Sequence, residues 1–368
     1  MKKIGILTLS ASDNCGSLLQ AYALQMMIEK NNCKAEIIDF ESVLSKDMYD
    51  IIPYRFWKHP KRTLKSFLNY KKLKHQKDDY NFFRDNYLHL TAEHYLGEEA
   101  IKAIDGKYDT LVVGSDQVWN IKMADFDHAF MLDWVTKMHK VAYAPSLGGS
   151  DFSTYLDKER LKDNLNSYKK LSTREINGQK AIENVINKKV PVLADPTLLL
   201  MKEEWCKIVG DRIVENNYIF YYSWAYNNDY LNRIVEQYAK QKGLKVYVIN
   251  ASKWLNRKPK KYGFNLCEAS GPQTFLNLMN YADKVFVESF HGVIFANIFE
   301  KDFFFLNNYK DGSLDPRLDS ILELFHRKDR VICNYSDIKD VSIDYSIKNE
   351  EFDSLRKESI EYLKDSLA

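Results

Sequence analysis

No apolar run in this 368-residue chain approaches the length that crosses a bilayer. The five cysteines (Cys15, Cys33, Cys206, Cys267 and Cys333) are scattered and odd in number, with no spacing of a disulfide framework, a metal site or a redox pair. Charge is nearly balanced, 53 Lys and Arg against 51 Asp and Glu, so the strong basic excess of a nucleic-acid binder is absent. Internal repeats and low-complexity linkers are absent too. The first strand-like run, Ile4 to Leu9, follows only Met1-Lys2-Lys3 and is too short for a signal peptide. These absences point to a cytoplasmic protein, attached to a membrane at most peripherally. The composition is otherwise that of a globular protein, unusually rich in Tyr (24) and Phe (20), and its length suits two domains.

What is present is an α/β rhythm. Ile4 to Leu9 reads as a strand, Ser10 to Ser17 as a polar loop, Leu18 to about Lys30 as a helix and Ala35 to Phe40 as a second strand. The loop SASDNCGS contains one glycine, Gly16, and so lacks a dinucleotide fingerprint. It is either a capped turn or a helix N-terminus able to hold an anion on its backbone amides. Further buried strands are expected at Tyr108 to Val113, Val141 to Ala144 and Val190 to Ala194. Beyond a connector near 202–217 they are expected at Tyr218 to Trp224, Val246 to Asn250, Val285 to Val287 and Phe303 to Leu306. Helices are expected at Leu231 to Lys242 and Thr274 to Ala282, with a terminal amphipathic helix through Phe352, Leu355, Ile360, Leu363 and Leu367. Strands alternating with helices imply parallel sheets covered on both faces.

Residues 41–93 break the rhythm. Between Arg55 and Lys77 stand nine Lys or Arg and no acid, interleaved with Phe56, Trp57, Leu64, Phe67, Leu68, Tyr70 and Leu73. This basic, aromatic helical insert is either a helix with a solvated face or an arm that meets anionic lipid or a phosphorylated acceptor.

Two strand ends concentrate polar residues. Tyr108 to Val113 runs into Gly114-Ser115-Asp116-Gln117-Val118-Trp119-Asn120, and the strand at 284–287 runs into Glu288-Ser289-Phe290-His291-Gly292, with a helix from Val293 to Phe299. In open α/β sheets ligands gather at the carboxyl ends of strands. His291 there can give or take a proton near neutral pH, or serve as a buried structural residue. Asp116 can accept a hydroxyl proton or fasten its own turn.

Several strings together, in order, resemble the polysaccharide pyruvyl transferase family. They are DNCGSLLQAYALQ, VVGSDQVWN, LSTREINGQ, ADPTLLL, ASGPQTFLNLMNYAD, ESFHGVIFANIFEKDFFF and the Asp315-Pro316-Arg317 region. The resemblance spans most of the chain but leaves out residues 41–95. It implies two Rossmann-like domains facing a cleft, similar to the GT-B glycosyltransferase fold. Residues 1–205 form the first with the insert at about 41–95, 206–335 form the second, and 336–368 form a helical tail packing back on the body. The activity it implies moves the enolpyruvyl-derived unit of phosphoenolpyruvate onto two hydroxyls of one sugar, in a surface polysaccharide or its lipid-linked precursor.

On that resemblance His291 is the general acid, and Asp116 or Glu288 takes a hydroxyl proton. Ser289, Asn14, Gly16, Ser115, Gln117, Asn120 and Gly292 fall in substrate-binding positions. Some members carry Arg-Leu-His where this chain has Ser289-Phe290-His291, so the cation that meets the donor must come from elsewhere, and Arg174 and Arg317 fall inside matched motifs. The chemistry requires no cofactor beyond its donor substrate, and no metal-ligand cluster stands out in the sequence. A nucleotide-sugar glycosyltransferase on the same fold and a non-catalytic glycan-binding relative are the competing readings.

Overall fold

The computed structural model describes residues 1–224, 226–254, 259–309 and 311–368. The chain forms two compact units: Met1–Lys65 with Arg84–Leu200 and Asp353–Ala368, and Ser66–Phe83 with Met201–Phe352.

The first unit is built on β1 (Lys3–Leu7), α1 (Cys15–Lys30) and β2 (Lys34–Glu41). After α2 (Val43–Tyr49), α3 (Pro60–Leu68) and α4 (Tyr70–Tyr87) come β3 (Leu90–Leu96), β4 (Thr110–Val113) and β5 (His139–Ala142). All pairings are parallel, in the order β3-β2-β1-β4-β5, with Ile6 opposite Ile37 on one side and Val112 on the other. β1 and β4, at the centre, are apolar on both faces because both faces are covered. α1 is apolar nearly all round and correspondingly buried over most of its length. It begins at Cys15, earlier than the expected Leu18, because the Asn14 side chain accepts from Gly16 N and caps it there.

Two expectations fail in this unit. β3 begins inside the stretch that breaks the rhythm. It is an edge strand, mostly exposed or half-buried, so its sequence lacks the apolar signature of an inner strand. Conversely, Val190 to Ala194 is not a strand. Only one bridge forms, between Thr173 and Val192. Pro191 has no N–H to give, and the Ala194 N–H is taken by the Ser359 hydroxyl at 2.9 Å. Ser359 belongs to the C-terminal helix Glu350–Leu367, whose Tyr362 hydroxyl donates to Ala142 O at 3.1 Å and whose Arg356 donates to Leu198 and Leu199 carbonyls.

The second unit carries β6 (Tyr218–Tyr222), β7 (Lys245–Val248), β8 (Phe264–Leu266), β9 (Lys284–Val287), β10 (Phe303–Leu306) and β11 (Val331–Ile332). They pair in parallel in the order β11-β10-β9-β6-β7-β8. Much of the aromatic surplus is here: Tyr221 packs edge-on against Phe264, and Phe286 against both Tyr238 and Phe304. β8 and β11, three and two residues long, are too short to show in a periodicity. Trp224 lies past the end of β6. The helix Asp229–Lys242 joins β6 to β7, capped by Asn228 and closed by Gly243 at φ +65°.

Candidate functional site

In each sheet the strand order reverses beside the strand that the chain enters first, and loops diverge there to leave a crevice. In the first unit this point lies between β1 and β4, and in the second between β6 and β9. The polar strings singled out in the sequence fall at the carboxyl ends of these strands.

At the first point the turn after β4 is tightly determined. Gly114 has φ +117°, and a Cβ there would lie 2.2 Å from the Tyr143 carbonyl oxygen, so no other residue fits. Ser115 is fully buried: its amide donates to Gln20 Oε1 at 3.0 Å and its hydroxyl to Ala144 O at 2.7 Å. The Gln20 amide donates in turn to Thr8 Oγ1 and to Ser17 O, both at 2.8 Å. Asp116 stands at φ +62°, accepts from its neighbour's amide at 2.8 Å, and takes the Ser17 hydroxyl from the first turn of α1. Gln117 and Asn120 pair at 2.8 Å, covering Gly148 so closely that a Cβ there would meet both. Asn14, Gly16, Ser115, Asp116, Gln117 and Asn120 thus belong to one rim, and the side chains of Asn14, Ser115, Asp116, Gln117 and Asn120 are bound up in holding it.

Arg174 reaches the same rim from below. Its side chain is 3% exposed and donates to Asp195 at 2.8 Å, with Glu175 at 3.5 Å. Burial alone would lower its pKa, but the charges of Asp195, Glu175 and Asp116 outweigh it and hold the guanidinium firmly protonated. Glu175 accepts from Ser146 Oγ at 2.6 Å and Gly148 N at 3.1 Å, and Asp195 caps the short turn Pro196–Leu198. Arg174 therefore closes a buried ionic network whose acids are themselves tied to backbone and hydroxyl donors.

At the second point Glu288 follows β9 and accepts the Ser223 hydroxyl from the end of β6. Ser289 caps the helix Phe290–Ile298 through Gly292 N at 3.0 Å. The helix thus begins three residues before the expected Val293, and His291 lies in its first turn rather than in a loop. His291 is buried, with the Phe290 ring edge-on at 5.3 Å. A Cβ on Gly292 would lie 2.8 Å from Ser289 Oγ and 2.9 Å from Val287 Cγ1, so the close helix–strand approach that seats His291 needs glycine. Arg317 is half-buried in the first turn of the helix Pro316–Leu324, forked onto Asp315 at 2.9 and 2.8 Å. The two arginines belong to different units.

The sequence reading passed over Arg84. Near the end of α4, its guanidinium donates to the carbonyls of Ser10, Ala11 and Ser12 and to the Asp13 carboxylate, all at 2.8–2.9 Å. It clamps the loop that precedes α1. Burial, aided by the charges of Asp125, Asp116 and Asp13, pushes the phenol of Tyr49, from α2, far up. Burial, aided by Asp116, also raises the pKa of Asp125. Apart from this rim, the first unit holds a cavity of about 470 Å³ lined by Phe126, His128, Asp133, Tyr155 and Arg160 among others, and by none of the residues singled out in the sequence.

Known proteins match this chain in two ways. In overall structure it is similar to UDP-GlcNAc 2-epimerases. With that of Methanocaldococcus jannaschii the TM-score is 0.54 at 11% identity, over 97% of this chain and 99% of the other. For that of Neisseria meningitidis the values are 0.53 and 11%, over 99% of each chain. For that of Rickettsia bellii they are 0.54 and 11%, over 100% and 97%. At such identity the likeness is one of fold: two parallel-sheet α/β domains of the GT-B type. No curated protein sequence matches. The sequence model of the polysaccharide pyruvyl transferases matches residues 14–310, a stretch that includes both rims, and the chain belongs to that family.

Proposed function

We propose that the protein is a ketal-forming pyruvyl transferase that uses phosphoenolpyruvate as donor and two hydroxyls of one sugar as acceptor. The family match over residues 14–310 carries the reading, and the residues at the second rim supply chemistry that suits it. A proton delivered to the methylene carbon of the enolpyruvyl group leaves an oxocarbenium-like centre at the neighbouring carbon. A sugar hydroxyl adds there and gives up its proton. Loss of phosphate regenerates the cationic centre, and the second hydroxyl closes the ring and gives up its proton in turn.

His291 is the group suited to deliver the first proton, and Glu288 or Asp116 to receive a hydroxyl proton. For the donor anion, Arg317 is the better of the two candidate cations, since its guanidinium retains solvent contact while Arg174 is enclosed by acids. The first-turn amides and dipole of the helix Phe290–Ile298 would add to the attraction. The acceptor is a sugar of a surface polysaccharide or of its lipid-linked precursor.

The test is phosphate release from phosphoenolpyruvate, screened against sugar acceptors, with the ketal identified by mass. Acceptor-dependent release supports the reading. Thermal stabilisation by nucleotide sugars with no consumption of phosphoenolpyruvate would transfer the protein to the glycosyltransferases.

A further inference from the structure

Helix α3 is built inside out. Along it, Arg62, Ser66 and Asn69 recur at helical spacing and are buried or half-buried, whereas Lys61, Leu64, Phe67 and Leu68 form the outward face. A surface helix ordinarily buries its apolar stripe. Here Leu64, Phe67 and Leu68 are 64%, 61% and 78% exposed, and Trp57, just before the helix, is 62% exposed beside Phe56. Such a concentration of large apolar side chains on one surface marks an interaction site.

The charges around it have one sign. Lys58, Lys61, Lys71 and Lys72 are exposed, and no acid occurs between Arg55 and Lys77. Several of the nine cations there have other work, Lys74 among them, which pairs with Asp78 at 2.6 Å. Arg55 pairs with Asp47, and Arg62 donates to the carbonyls of Asp47, Met48 and Asp50, bracing the C-terminal end of α2. Arg62 thus fixes which way α3 faces, and the lysines remain at the surface. Exposed apolar and indole side chains interspersed along the chain with exposed lysines match the boundary of an anionic bilayer, where the rings sit at headgroup level and the ammonium groups meet phosphates. No helix among the described residues is long and apolar enough to cross a membrane, so contact would be peripheral.

We propose that the outward face of α3, with Phe56 and Trp57, is a reversible docking surface for anionic phospholipid bilayers. The inference rests on this surface alone, so its test needs no substrate and fails or succeeds apart from the transferase reading.

The test is flotation of the full chain with vesicles of phosphatidylcholine alone or mixed with phosphatidylglycerol, at low and high salt. Binding is expected only to the anionic vesicles, with loss at high salt and a blue shift of emission that Trp57→Phe removes. Phe67→Ser with Leu68→Ser, and separately Lys58→Gln, Lys61→Gln, Lys71→Gln and Lys72→Gln together, should each weaken binding by about tenfold or more. Arg62 is left intact, because replacing it would release α2. Circular dichroism confirms that the variants fold. Binding to neither vesicle, equal binding to both, or binding indifferent to Phe67 and Leu68 would overturn the proposal. A concentration-dependent dimer abolished by the same apolar substitutions, without vesicle binding, would assign the face to a second copy instead.

Discussion

Arg174 and Asp195 meet at 2.8 Å with side chains 3% and 0% exposed, so a residue read as a donor-binding cation is locked to a carboxylate out of reach of water. Removing one partner of such a pair leaves the other charged and buried, which costs about 3–5 kcal/mol, far more than the pair adds over an apolar replacement. Arg317, held by its own helix cap and still in touch with solvent, is in the opposite position.

Arg174→Gln should therefore lower stability by about 3 kcal/mol or more, seen in chemical denaturation, and reduce activity in proportion to folded protein. Arg317→Gln should leave stability nearly unchanged and weaken phosphoenolpyruvate binding by about one to two decades, measured by calorimetry. Equal stability of the two variants would contradict the burial argument.

His291→Ala removes the proposed acid without disturbing its helix, since alanine suits a first-turn position and Ser289 still caps. Turnover should fall by about a hundredfold to ten-thousandfold, with the circular dichroism spectrum unchanged. A folded variant with wild-type phosphate release would remove His291 from the chemistry.

Lys140 gives a pH signature. Buried beneath the Tyr168 ring and donating to Asn164 Oδ1 at 2.7 Å, its amine is lowered by burial to about 8. Above that pH the folded chain has lost this proton while the unfolded chain keeps it up to the ordinary lysine range, so the unfolded state binds more protons and stability rises with pH. Between about pH 7.5 and 9.5 the gain should approach about 2 kcal/mol. Denaturation curves of the parent and of Lys140→Met at the two pH values isolate it: the rise should be smaller in the variant by that amount.

Much of the fold was legible because most of its inner strands are largely apolar and its helices regularly spaced. The runs at 110–113 and 303–306 have no other reading, and both polar strings lie at strand ends because only there can loops leave a parallel sheet. The Asn-x-Gly-x-x-Leu-Gln string was legible as a pattern but not as a mechanism. Only in three dimensions does Gln20 tie Thr8 and Ser17 to Ser115, 95 residues later. Edge elements escaped notice because exposure erases the periodicity that betrays an inner strand, as at β3, and Arg84, set among Asp78, Asp79 and Asp85, carries no local sign of the distant loop it clamps.

The covalent sequence by itself determined which residues can carry charge, which segments are amphipathic and where the turns must be glycine. The tertiary structure alone decided which way those properties face. A guanidinium is the same group whether it meets a ligand or a buried carboxylate, and Arg174 is enclosed because the chain brings Asp195 against it. An amphipathic stripe is likewise indifferent to inside and outside until something packs on one side. Arg62, bonded to the carbonyls that end α2, turned the polar side of α3 inward and left Leu64, Phe67 and Leu68 facing out.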